Sequence, residues 1–326
     1  MKQDLFVERY ENDWNRLDEL LSSSRWQVRR SALAPSRSEL PHLYRQVCHH
    51  LALARERGYS LALVDRLHGL CLRGHQALYV RRFSILAELR RFVLADFPRL
   101  VRANWIAVLA AAVFLCGSGL TMGRMVYQSP HLIYSVTSPD SVESYESMYD
   151  PAATQRVGRA RQADDDFEMF GFYLRNNTSI GFRTFAAGLL FGVGTIVVLL
   201  FNGVTIGATA GYLSTKATAI PFWSFVSGHS APEITAIVLS GAAGLLLGWA
   251  LVAPGRRTRQ QALLYAAKDA VRIMYGAAAL FFVAAIVEAY WSSIVPMAPE
   301  TKWAVGVAGW VVLWSYLILA GRERGR

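Results

Sequence analysis

Residues 181–252 hold more continuous apolar sequence than a single helix uses, and this constrains the chain more than any other feature. The first run, GFRTFAAGLLFGVGTIVVLLF at 181–201, is twenty-one residues with one charge, Arg183, near its end. At about 1.5 Å per residue it is roughly 31 Å long, the thickness of a bilayer's hydrocarbon. A strand is never that long, and a soluble helix needs a polar face. Asn202-Gly203 follows, then a second run at 204–226, the GHSAPE segment, and a third run at 232–252. The expectation is three membrane helices folded back on one another, with Asn202 and Gly203 forming the turn between the first two.

The middle run carries Lys216 and Pro221, so hydropathy alone leaves a re-entrant hairpin open. Charge placement favours a full crossing. If 204–226 crosses, the basic segment 256–272 (Arg256, Arg257, Arg259, Lys268 and Arg272) falls on the same side as the Arg-rich amino-terminal part and the closing GRERGR. That matches the tendency of Lys and Arg to stay cytoplasmic. The predicted fold is an all-α integral membrane protein, a six-helix transmembrane bundle with spans at 103–124, 181–201, 204–226, 232–252, 273–293 and 303–320, both termini cytoplasmic.

The 326 residues are 53% hydrophobic and carry a formal charge of +10. In a soluble chain a basic balance raises nucleic acid as a partner. Here 18 of the 34 Lys and Arg residues precede position 103, on the expected cytoplasmic side, so membrane lipid is the expected partner and nucleic acid is not. Cys48, Cys71 and Cys116 lack ligand spacing and are expected as free thiols. The opening MKQDLFVERYENDW is charged and amphipathic, unlike a cleavable signal.

Residues 1–97 read as a cytoplasmic helical domain. Phe6, Tyr10 and Trp14 form one ridge of an amphipathic helix; a second helix begins near Ser38 and stops near Gly58, and a third runs over about 60–79. His49-His50 is not read as a metal site, because adjacent residues on a helix point about 100° apart. Over 81–102, Leu86, Leu89, Val93, Phe97 and Leu100 make an apolar stripe bordered by arginines, an interfacial elbow helix that Pro98 turns toward the bilayer.

Residues 125–180 form the one large extracytoplasmic segment, acidic where the cytoplasmic parts are basic, with two short helices expected over 139–171. The run Asp164 to Asp166 reads as a solvated turn or helix start before a cation site.

In this topology Asn176, Asn177, His229, Glu233 and Glu288 converge near the outer interface from three separated stretches. Glu288, in IVEAYW, needs a partner in apolar surroundings; Lys216, the asparagines and His229 are candidates. His229 and Glu233, four apart, supply only two metal ligands, and no His-Glu-x-x-His signature occurs, so neither a metal nor a catalytic residue is assigned and no cofactor is expected. Two readings of the cluster stay open: a structural network closing the bundle, and a binding or conduction site for an ion, proton or small polar group. Glycines 203, 207 and 211 repeat every fourth residue and permit close helix contact, within the bundle or in a homodimer.

At these residues the chain resembles the stage II sporulation protein M family. The matching pieces are RNNTSIGF with Asn176 and Asn177, FNGVTIG at 201–207, His229 and Glu233 of GHSAPEITAI, GAAGLLLG at 241–248 and Glu288 of AAIVEAYW. Where the family pattern has proline before the histidine and glycine after it, this chain has Gly228 and Ser230. The resemblance implies a polytopic protein of the bacterial cytoplasmic membrane. It implies a membrane organiser in a cell-envelope complex, not the hydrolase. It also implies partners such as a MoxR-type ATPase and proteins with von Willebrand type A domains. The expected function is thus a non-enzymatic membrane scaffold; the alternative is a transporter or channel-like protein using Asn177, His229, Glu233 and Glu288.

Overall fold

The computed structural model describes residues 2–22, 37–79, 85–152, 165–294 and 297–322. It divides into two compact units, Met1–Ile85 and Leu86–Arg326.

The first unit is three helices, α1 (Gln3–Ser22), α2 (Leu40–Glu56) and α3 (Leu61–Tyr79). The expected ridge is present: the Phe6 ring lies 5.1 Å from Tyr10 and 5.8 Å from Trp14, and Phe6, Trp14 and Leu17 are fully buried. His50 is buried against this ridge, and the Trp14 indole N–H donates to its Nδ1 at 3.1 Å. That bond places the imidazole proton on Nε2, and burial pushes the His50 pKa down, so the ring is a neutral core group. Gly58, with φ +63°, ends α2 as expected. Ser38 does not cap it: a 3₁₀ turn, Arg37–Glu39, leads in and Glu39 is the N-cap. The Gln3 side chain instead serves α3, its Oε1 accepting from Ser60 N at 2.9 Å.

The second unit opens with α4 (Ile85–Arg91), a π-turn (Phe92–Asp96) and α5 (Phe97–Ala103). Ile85, Leu86, Leu89, Val93 and Leu94 are exposed, while Phe97, Leu100 and Val101 enter the core. Residues 81–84 of the expected elbow lie outside the described residues. Pro98 does not redirect the chain; α4, the π-turn and α5 continue through it with helical backbone. The interruption comes at Asn104, whose Nδ2 donates to Leu100 O at 2.9 Å.

Among the described residues, five helices are long and apolar enough to cross a membrane: α6 (Trp105–Gln128), α9 (Val193–Leu213), α10 (Ala219–Val252), α11 (Arg259–Ser292) and α12 (Pro299–Leu319). Between α6 and α9 lie α7 (Pro139–Met148) and α8 (Asp165–Ala186). Close approaches fix the directions. Gly119 and Gly123 of α6 meet Gly203, Gly207 and Gly211 of α9 in the same order, so α6 and α9 run parallel. Gly181, Gly188 and Gly192 meet Ser240, Gly244 and Gly248, so α8 runs parallel to α10. Gly228 lies against Trp291 while Ser240 shares Phe281 with Gly181, which makes α11 antiparallel to α10. Gly306 and Gly309 follow Ser227 and Ala231, so α12 is parallel to α10. Thr195 and Leu199 of α9 meet Gly244 and Gly241 in reverse order, so α9 is antiparallel to α10. Among the described residues these six helices therefore alternate in direction, α8 among them although it is too polar to count as a span by composition.

The helix breaks differ from expectation. Asn202-Gly203 is no turn but lies inside α9, where the Asn202 amide donates to Val198 O at 2.7 Å and a Cβ on Gly203 would sit 2.1 Å from Ser118 Oγ. The chain reverses earlier, through the 3₁₀ turn Ala187–Leu189 and left-handed Phe191 (φ 55°) and Gly192 (φ 79°). The run 181–201 is thus divided between the end of α8 and the start of α9, and the run 204–226 between α9 and the start of α10. GHSAPE is not an outer turn either. It lies within the 34-residue α10, about 51 Å long at 1.5 Å per residue. Pro232 is carried inside that helix while the hydroxyls of Ser227 and Ser230 donate to Ser224 O and Ser227 O. The turn between α9 and α10 is at 214–218. The basic segment 256–272 is mostly the first turns of α11, capped by Thr258 and Gln261 in a reciprocal box.

Residues 129–152 pack on the ends of α9 and α10. Ser138 caps α7, and Glu146 Oε1 accepts from Tyr212 at 2.6 Å and pairs with Lys216 Nζ at 3.0 Å. Tyr149 is buried edge-on to Phe222 and Phe225, its ring 5.2 and 5.8 Å from theirs.

Candidate functional site

Three elements supply the polar centre. α8 presents Asn176 and Asn177; α10 presents His229 and Glu233, one turn apart on one face; α11 presents Glu288 and Ser292 from its closing π-turn, Val287–Ser292. A π-turn widens the helix, and here it puts a carboxylate and a hydroxyl on the side facing α10.

The contacts are specific. Asn176 Nδ2 donates to Asn177 Oδ1 at 3.2 Å, and Asn177 Nδ2 donates to Glu288 Oε2 at 3.2 Å. His229 Nδ1 lies 3.0 Å from Ser292 Oγ, and its Nε2 lies 3.7 Å from Glu233 Oε2. One ligand-type atom each from His229, Glu233 and Glu288 lie within 4.8 Å of one another. Asn177, His229 and Glu288 are 2%, 4% and 8% exposed, so these groups meet in a low-dielectric interior where every polar contact gains weight. Phe225 closes one side, its ring edge-on to His229 at 5.1 Å. Tyr149 stands over the centre from the extramembrane segment; burial, and then the nearby Glu288 carboxylate, push its phenol pKa upward.

Lys216 does not join the cluster. It is committed to Glu146 and Tyr212, which raise its pKa, and it fastens α7 to the end of α9. Asn202, Gly203, Gly207 and Gly211 also lie elsewhere, on the seam between α6 and α9. Because these glycines already meet Gly119, Gly123 and Ser118 within one chain, their spacing does not by itself argue for a dimer. Sequence reasoning missed Ser292, Tyr149 and Lys302. Lys302, only 2% exposed, donates from Nζ to Ser292 O at 2.8 Å. A lysine three residues past a helix-opening proline reads as an ordinary interfacial cation, and nothing in MAPETK marks it as buried.

Cavities open between the helices. One of about 660 Å³ runs along the α6–α9 seam to Ser230 and Trp310, one of about 330 Å³ lies between α6, α10 and α12, and one of about 740 Å³ lies between α10, α11 and α12. All three are lined largely by apolar side chains.

The family model for stage II sporulation protein M matches residues 105–293. The chain belongs to this family. The match takes in Asn177, His229, Glu233, Glu288 and Ser292, so the whole polar centre lies within the stage II sporulation protein M region, while Lys302 lies beyond it. Residues 4–80 match a separate model, a domain of unknown function (DUF8413), over nearly the same span as the first compact unit. No curated protein and no solved structure gives a match.

Proposed function

We propose that this stage II sporulation protein M family member is a non-enzymatic scaffold in the cytoplasmic membrane, an assembly component of a cell-envelope complex. In this reading α6, α8, α9, α10, α11 and α12 cross six times, both termini are cytoplasmic, and the exposed apolar face of α4 lies in the interface among lipid headgroups. The observation that supports it is that buried polar side chains of three helices meet and bond across the bundle beside apolar cavities. Asn177 holds Glu288, His229 holds Ser292 and faces Glu233, and Lys302 holds the Ser292 carbonyl. Such a network fixes α8, α10 and α11 against each other, and the cavities beside it are apolar. That is what a rigid platform for its two extramembrane parts needs.

The partners of such a platform are other envelope membrane proteins, with a MoxR-type ATPase and proteins with von Willebrand type A domains as the first to look for, and a second copy of the chain. Crosslinking and mild-detergent pull-down from native membranes tests this. A defined set of proteins should be recovered with the full chain and lost from a chain lacking residues 1–85. Recovery of the chain alone contradicts the proposal.

The convergence of His229, Glu233 and Glu288 favours a second reading, binding or passage of an ion or proton. Glu288→Gln should then abolish flux in proteoliposomes while partner recovery is unchanged.

A further inference from the structure

His229 is more than nine-tenths buried, yet only one of its ring nitrogens has a hydrogen bond. With Nδ1 on the Ser292 hydroxyl, Nε2 points at the Glu233 carboxylate from 3.7 Å, too far for a hydrogen bond, and it makes no other among the described residues. When Nδ1 carries the proton that Ser292 Oγ accepts, Nε2 presents a lone pair to the Glu233 oxygen and to Glu288 beyond it. Three electron donors then face a common point. Lys302, also buried, donates to the Ser292 carbonyl beside them.

We propose that His229, Glu233 and Glu288 bind one divalent transition-metal ion, zinc in the first instance, as a structural centre joining α10 to α11. The donor set is one imidazole nitrogen and two carboxylates, a borderline set that suits zinc and its first-row neighbours. Calcium takes six to eight oxygens and magnesium keeps several waters, and a set of three protein donors that includes a nitrogen suits neither; zinc would complete four-coordination with one water on the partly exposed Glu233 side. Zinc bonds of about 2.0–2.1 Å put tetrahedral ligand atoms about 3.3 Å apart, so the His229–Glu233 separation closes by side-chain rotation alone. The ion's two positive charges would match the two carboxylates in this low-dielectric interior. The surroundings also have the form of an outer shell: Ser292 fixes the imidazole through its other nitrogen, and Asn177 orients the Glu288 carboxylate. This inference is independent of whether the protein is a scaffold or a transporter.

The test uses the full-length chain purified in detergent, stripped with a chelator and titrated with Zn²⁺ and with Co²⁺. One ion per chain, with the intense visible absorption of four-coordinate Co²⁺ and its displacement by Zn²⁺, is the expected result. Ser292→Ala and Asn177→Ala should weaken binding by about 10–100-fold, and Glu233→Gln and His229→Gln by more than that. The wild-type titration stands whether or not a variant folds, and size-exclusion profiles identify the variants fit to compare. Absence of stoichiometric binding, a six-coordinate Co²⁺ spectrum, equal affinity for Mg²⁺ or Ca²⁺, or undiminished binding by folded Glu233→Gln overturns the proposal.

Discussion

Asn177 on α8 donates its amide to the Glu288 carboxylate on α11 at 3.2 Å, across 111 residues of sequence. A single bond thus holds the least apolar of the six alternating helices to the bundle at the level of the polar centre. Asn177→Ala should lower stability by about 1–2 kcal/mol, the range for a buried hydrogen bond to a charged group moderated by the membrane reference state. A cycle with Glu288→Ala, followed by thermal unfolding in nanodiscs, should show a coupling of about 0.5–2 kcal/mol. Simple additivity of the two changes contradicts the contact.

Which residues converge was legible in the sequence; how their helices are cut was not. Polar residues are rare in apolar runs, so Asn177, His229, Glu233 and Glu288 stood out, and their alternating placement brought them to one level. The turn was misread because Asn-Gly is a turn signal wherever backbone conformation decides, whereas Gly203 is present for contact: its missing Cβ lets α9 lie on Leu115 and Ser118. The true reversal rests on Gly192 at φ 79°, and GVG inside an apolar run looks like packing. GHSAPE was read as a loop because a helix of about 20 residues is the usual span, and the extra length of α10 is covered by Tyr149 and its neighbours from a distant segment.

The glycine seam yields a matched pair of substitutions. A Cβ at Gly207 would sit 2.0 Å from the Gly119 carbonyl oxygen, while at Gly171 on α8 it meets nothing within 4 Å. Gly207→Ala should destabilise by about 1–3 kcal/mol through forced separation of α6 and α9. Gly171→Ala should be neutral or slightly stabilising, since alanine favours the helix. Thermal melting of the two variants side by side checks this, and equal effects contradict the packing described.

Acid should loosen the outer segment. Glu146 is held below the usual carboxylate range, first by the Tyr212 hydroxyl and then by Lys216. A carboxylate whose pKa is depressed on folding adds stability above its unfolded value, about 4.3, and loses it as pH falls through the lower folded value. Because the pair is partly exposed, its worth is under about 1 kcal/mol. Protection factors of the α7 amides, corrected for the intrinsic pH dependence of exchange, should therefore fall on acidification below about pH 4, and Glu146→Gln should lower them at neutral pH and leave them largely flat across that window. Protection of wild-type α7 that does not change across this window would contradict the assignment.

The alternation of six helices, with α8 as the second crossing and both ends on the cytoplasmic face, is tested most directly by single-cysteine labelling of cells and inverted vesicles with a charged, impermeant reagent in a background free of the native cysteines. Cysteine at Ser141 should label from outside, at Thr258 from inside, and at Asn202, within α9, from neither side. Inside labelling at position 202 would restore the turn at Asn202-Gly203, and outside labelling at position 258 would mean an odd number of crossings before it; either result contradicts the arrangement.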